Sequence, residues 1–172
     1  ANRLAEAGVD FLLAATLPAF SEATGLAKAL AATGKPYIMS FLFRPEGTML
    51  DSTPLKDAIS IIDSDVNPKP IAYMANCTHA SIFKTAIMHA THSSATVRNR
   101  VAGLLANTAA LNPEELDDSE ELVEEDPQIF GQSVANLHGE LGMKILGGCC
   151  GTDDRHIDNL AKRLVSDNFE PE

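Results

Sequence analysis

Tryptophan is absent from the 172 residues, and two tyrosines and seven phenylalanines supply all the aromatic rings. With few large flat side chains and many alanines and leucines, packed helices are a better source of core than a short-stranded sandwich. No apolar run reaches the ~18 residues that a membrane-spanning helix requires. No signal peptide is expected either: the opening "ANRLAEAGVD" reads as a helix already under way, without an initiator methionine. Basic residues are scarce, 13 against 24 acidic ones, for a net charge of −11. That balance argues against nucleic acid or an anionic membrane surface as a partner, since both attract positive charge. Cysteine is rare too. The three present cannot all pair, and adjacent Cys149 and Cys150 would close only a strained ring. Reduced thiols in a cytoplasmic protein are therefore expected, not a secreted disulfide framework.

What the chain does have is enough apolar material, 45% of residues, for one domain core over residues 1–172. Short stretches rich in β-branched residues predict strands at Val9–Ala15, Tyr37–Phe43, Ile71–Asn76, Val101–Ala106 and Met143–Leu146. Between them the apolar period lengthens to that of a helix. Phe20, Ala23, Ala27, Leu30 and Ala31 share a face, as do Leu55, Ala58, Ile59 and Ile62. Ile82, Ala86, Ile87 and Ala90 form a third stripe, Phe130, Val134, Leu137 and Leu141 a fourth, and Ile157, Leu160, Ala161 and Leu164 a fifth. Thr53-Pro54 and Asp126-Pro127 each set a capping side chain before a proline suited to a first helical turn, and Gly34 and Gly142 fall where helices should stop.

This alternation predicts an α/β fold of parallel strands with right-handed crossovers. An open dinucleotide-binding sheet would carry a glycine-rich first turn, and "GVDFLLAATLPAF" has none. A (β/α)8 TIM-type barrel has eight strands. The expectation is an incomplete barrel of about five β/α units, with open edges that a missing N-terminal segment or a further copy in a homo-oligomer would cover. "NPEELDDSEELVEEDP", Asn112 to Pro127, holds nine of the acidic residues and reads as a solvated loop or, less simply, a lid or docking surface for a basic partner.

The cysteines sit at informative places. "ILGGCCGT" ends the fifth predicted strand and "AYMANCTH" the third. Within a strand, neighbouring side chains point to opposite faces; in the turn beyond it, Gly147, Gly148 and Gly151 permit Cys149 and Cys150 to converge. In a parallel β/α fold the C-terminal strand ends share one face, so Cys77 has a common meeting place with them. Three thiolates suit Zn2+, and three protein ligands leave a fourth position open, as in catalytic zinc sites. The alternative from the residues alone is three buried apolar cysteines.

"ILGGCCGTDDRHI" together with upstream "NCTH" resembles the zinc-dependent homocysteine S-methyltransferase family, which includes betaine- and S-methylmethionine-dependent enzymes. "AEAGVDFLLAATLPAFSEA" and "GLLANTA" are similar to two further segments of that family. The resemblance implies the C-terminal part of a (β/α)8 barrel. It implies Cys77, Cys149 and Cys150 as zinc ligands, and a small-molecule thiol such as homocysteine as acceptor of a methyl group from an activated donor. Thr16, Asn76 and Asn107, at strand ends, become expected substrate contacts, with His156 and Gly148 supporting the cysteine turn from behind. Where the family shows Glu-Thr this chain has Ala15-Thr16, so a carboxylate suited to a substrate ammonium group is missing; Ser52 replaces a more typical glycine.

His79 and His156 are each near enough to a cysteine in sequence to close the metal site as a fourth ligand. His89 and His92 suit a helix C-terminus, Thr78 is a strand-end hydroxyl, and Asp153 is the expected cap of the last helix. The expected function is zinc-dependent methyl transfer to a thiol. The competing expectation is a truncated or divergent member that binds zinc or a partner without turnover, and a third is redox switching through the vicinal thiols.

Overall fold

The computed structural model describes residues 1–91, 94–112, 115 and 123–167. Five strands, β1 (Leu12–Leu17), β2 (Tyr37–Phe41), β3 (Ala72–His79), β4 (Val101–Asn107) and β5 (Ile145–Gly148), form one sheet. The helices in chain order are α1 (Asn2–Glu6), α2 (Phe20–Ala31), α3 (Leu55–Asp65), α4 (Ala80–Thr91), α5 (Ala95–Arg100), α6 (Pro127–Leu141) and α7 (Asp154–Asp167). All adjacent pairs are parallel and the spatial order is β1-β2-β3-β4-β5. A doubly wound sheet would reverse its strand order at a switch point. Strictly sequential winding is that of a barrel wall, here five strands of an α/β fold whose two edges are unpaired among the described residues.

The two faces of the sheet differ. Met39, Phe41, Tyr73, Ala75, Leu104 and Ala106 belong to the core beneath the helices, with Ala23, Ala27, Ile59, Ile62, Phe83, Val134 and Leu137. Each large apolar side chain buried there contributes about 1.5–3 kcal/mol. Ile38, Ser40, Met74 and Asn76, at the alternate positions, line the other face. Leu13, in register with Ile38 on the edge strand, is 42% exposed.

The expected strand positions hold to within a few residues, and the departures have physical causes. Gly8, at φ +84, turns the chain out of α1, so Val9–Phe11 lead into β1 instead of forming it. β1 then runs on to Leu17 across a register shift after Ala14. β2 stops at Phe41, because Phe43 turns into an antiparallel bridge with Met49. β3 and β4 run past their expected ends to His79 and Asn107. β5 is displaced forward from Met143–Leu146: Met143 is buried, and the ladder begins where the Lys144 amide donates to Ala102 O at 2.7 Å.

The α2 and α3 stripes face the core as expected, apart from half-buried Phe20. In α4, Phe83 joins Ala86 and Ile87 inside, while Ile82 is half-buried; the Ala90 side chain lies outside the described residues. In α6, Phe130, Val134 and Leu137 are buried and Leu141 partly so. The last stripe needs correcting. His156 and Leu160 are buried, Leu164 is half-buried, and Ile157 and Ala161 face outward. The histidine ring holds the inward position that the apolar pattern assigned to its neighbour.

Asp126 caps α6, accepting from the Gln128 and Ile129 amides at 2.8 and 3.3 Å, and Gly142 ends that helix at φ +69. Thr53 does not cap α3; Pro54 takes the N-cap position without a side-chain hydrogen bond. Its acidic neighbour Asp51 instead accepts from the Phe20 amide at the start of α2, at 2.7 Å. At the N-terminal ends of β3 and β4, Arg100 pairs through two nitrogens with Asp63 (2.8 and 3.0 Å) and lies over the Tyr73 ring. Burial and the Asp63 charge push the Tyr73 hydroxyl well above the usual phenol range.

Candidate metal centre

Cys77 is brought in by a bulge. Asn76 pairs with Leu105 and Thr78 with Ala106, so Cys77 is an extra residue in β3, and its φ is +51. A regular strand would aim Asn76 and Cys77 at opposite faces. The bulge turns both to one side, and the Asn76 Nδ2 donates to Cys77 Sγ at 3.4 Å. The expected site just beyond a strand end is thus a distortion inside the strand.

Cys149 and Cys150 occupy the turn after β5, as expected, and that turn is tied to β4. The Cys149 amide donates to Ala106 O at 2.6 Å and the Thr108 amide donates to Cys150 O at 3.1 Å. Thr152 closes the turn, its amide and hydroxyl both donating to Cys149 O at 3.2 and 2.7 Å. Glycine is required around it: a Cβ at Gly148 would collide with the Thr152 side chain. One at Gly151, where φ is +81, would strike Thr108.

The three sulfurs converge. Cys77 Sγ lies 2.8 Å from Cys149 Sγ and 3.9 Å from Cys150 Sγ, and the last pair is also 3.9 Å apart. All three thiols are free, two partly buried and Cys150 exposed. In a tetrahedral zinc site with Zn–S of ~2.3 Å, sulfurs stand about 3.8 Å apart. Two edges of the triangle already have that length, and the third, between Cys77 and Cys149, is shorter at 2.8 Å. The Cys77–Cys149 hydrogen bond pulls the Cys149 thiol down to about 5, and the same contact together with burial pushes Cys77 upward. This donor set fits a thiophilic ion, and among the described residues it is the group of cysteine, histidine and acidic side chains so arranged.

Neither nearby histidine joins it. His79 Nδ1 is 2.8 Å from Ser81 Oγ and its Nε2 is 3.5 Å from Glu125 Oε1. His156, 1% exposed, faces Asp153 with Nδ1 at 2.8 Å. Its Nε2 carries a proton toward Glu125 O at 3.0 Å, and the ring meets Phe130 edge-on. It therefore pins the cysteine turn to the chain entering α6. His89 is in the last turn of α4; His92 lies outside the described residues. Asp153 does cap α7, accepting from the Arg155 amide at 2.9 Å.

The three expected substrate contacts separate into two kinds. Asn107, 2% exposed at the end of β4, has a buried Oδ1 with no hydrogen-bond partner. Asn76, by contrast, is fully engaged: its Oδ1 accepts from the Thr16 amide (2.8 Å) and Ser40 Oγ (2.6 Å), and its Nδ2 donates to Thr16 Oγ1 (2.6 Å) and Cys77. Thr16 is thereby engaged too. Thr78 is buried and donates to Asn76 O. Cys77 and Thr78 also line a shallow surface cleft together with Phe43, Pro45, Ile82 and Leu111.

Sequence reasoning missed Ser40 and Glu125. A lone serine in apolar "YIMSF" was the signal for the first. Glu125 was hidden in an acidic run read as solvated. Its carboxylate faces His79 and keeps one buried oxygen unpartnered, so the end of that run belongs to the packed structure. Most of the run lies outside the described residues.

The family profile described as homocysteine S-methyltransferase matches residues 1–164. The chain belongs to the homocysteine S-methyltransferase family. It is 28% identical over 167 residues to the homocysteine S-methyltransferase of Escherichia coli K12, covering 93% of this chain and 49% of that protein. Crystal structures of the Escherichia coli homocysteine methyltransferase MmuM superpose with TM-scores of 0.67 for the apo form and 0.68 for the metallated form. The sequence identities are 26% and 25%, and each alignment covers 93% of this chain, against 51% and 47% of the crystallised chains. The chain thus spans about half the length of these homocysteine S-methyltransferase relatives.

Proposed function

We propose that this chain carries the thiol-activating part of a zinc-dependent S-methyltransferase, which moves a methyl group from an activated donor to homocysteine or a related thiol. The observation that carries the reading is the convergence of Cys77, Cys149 and Cys150, from two strands separated by β4, on one point. Cys77, Cys149 and Cys150 would hold the ion. A bound Zn2+ supplies the charge that keeps an incoming thiol deprotonated at neutral pH. The protein's own part is to set the three sulfurs, through the β3 bulge and the clipped β5 turn, and to orient the acceptor. Asn107 is the residue we assign to substrate, because its buried oxygen lacks a donor and an amino-acid ammonium group would provide one. The free thiols are in keeping with a reducing, cytoplasmic setting, and methyl transfer to homocysteine would form methionine.

One observation favours a second reading, a family member that binds metal without turnover. Ala15 stands exposed where the resemblance calls for a carboxylate. The deciding experiment is a methyl-transfer assay with homocysteine and a panel of methyl donors. It is run with and without added Zn2+, each for wild type and Cys150→Ser. Transfer by wild type that Cys150→Ser abolishes supports the first reading; metal-replete protein silent under every condition supports the second.

A further inference from the structure

Two non-glycine residues beside the metal centre have left-handed backbones: Thr16 in β1, at φ +58, and Cys77 in β3, at φ +51. L-residues rarely adopt that conformation, β-branched ones least of all. The two are 61 positions apart in sequence and lie on strands separated by β2, yet one side chain bridges them. Asn76, 3% exposed, spends both lone-pair directions of its oxygen on β1 and β2 and both N–H groups on Thr16 Oγ1 and Cys77 Sγ. A carboxamide has two acceptor directions and two donors, so nothing remains for a substrate.

We infer that Asn76 is a positioning residue: its N–H bond to Cys77 sulfur sets how tightly the three-cysteine centre holds its ion, while the rest of the carboxamide locks the two bulges together. The inference rests on the proposed metal site and deepens it. An N–H donor to a ligand sulfur orients that ligand and withdraws electron density from it, and such outer contacts change metal affinity by about 10–100-fold. Ser40 is the natural control. It bonds the same carboxamide at the oxygen end, so removing its hydroxyl loosens the clamp without touching the sulfur.

The test is a Zn2+ titration against a chelator, with the Co2+ spectrum, on wild type, Ser40→Ala, Asn76→Leu and Asn76→Asp. Asn76→Asp keeps acceptors for Thr16 and Ser40 and presents no N–H to the sulfur, so it remains informative if the leucine variant does not fold. A thiolate that loses a hydrogen bond holds its lone pairs less tightly, and its charge-transfer band moves to lower energy. We expect both Asn76 variants to show that shift and roughly tenfold or more weaker zinc binding, and Ser40→Ala to show neither. An Asn76→Asp band and affinity equal to those of wild type or Ser40→Ala would overturn the inference while leaving the metal site intact. Wild type that takes up neither ion would instead overturn the metal reading on which it depends.

Discussion

At the scale of single residues, the chain solves a problem that regular secondary structure cannot. Consecutive side chains on a strand diverge, so three sulfurs from two strands meet only where both strands are deformed. One deformation is the bulge at Cys77, the other the glycine-flanked turn at Cys149–Cys150. The turn has its own brace in Asp153, whose carboxyl is held well below the usual carboxylate range by the Arg155 side chain and then by His156. The sign of the consequence follows. A depressed folded-state value means that the contact stabilises above the unfolded carboxyl value of about 4 and is lost as pH falls below it. Thermal melts between about pH 6 and pH 3 should therefore show wild type losing more stability on acidification than Asp153→Asn. Parallel curves for the two proteins would contradict this. The adjacent cysteines and their glycines were legible in sequence because their chemistry is local. The saturation of Asn76 was not, because its partners come from strands that only the fold brings alongside.

At the scale of elements, helix starts and sheet order carry the prediction. Asp126 satisfies two amides at the start of α6, and Asp126→Ala should cost about 1 kcal/mol, read as a shift in denaturant midpoint at unchanged slope. The Arg100–Asp63 pair braces the opposite end of β3 and β4 from the cysteines. Its side chains are about one-fifth exposed. Solvent screening limits its worth, and Arg100→Met should cost about 2 kcal/mol with zinc binding unchanged. A loss of metal in that variant would show that the two strand ends are coupled. Strand placement was readable from β-branched runs to within a few residues. The error at α7 arose because apolar periodicity cannot register a buried histidine satisfied by Asp153 and a backbone carbonyl. Thr53 failed as a cap for a related reason: a Thr-Pro pair identifies a helix start without showing which residue's side chain reaches back to it.

At the scale of the whole molecule, the sequential order of five parallel strands makes a wall with β1 and β5 at its edges, unpaired among the described residues. Leu13 on the edge strand and Ile157 and Val165 on the last helix are exposed by 42–57%. Unpaired edges and apolar surface of this kind favour association. The chain should therefore show a mass in light scattering that rises with concentration; a strictly monomeric chain at all concentrations would argue that the edges are covered by its own residues. The fold class was readable from element alternation. Barrel-like winding over a doubly wound sheet was read from the lack of a glycine-rich first turn, and strand order supports it directly.

The central claim is that Cys77, Cys149 and Cys150 together bind one thiophilic ion. X-ray absorption at the zinc edge of the reconstituted chain addresses it most directly. The account predicts near-stoichiometric zinc with three sulfur neighbours at ~2.3 Å, falling to two with marked loss of metal in Cys150→Ser. Zinc bound through nitrogen and oxygen alone, or with a sulfur count unchanged by that substitution, would contradict it.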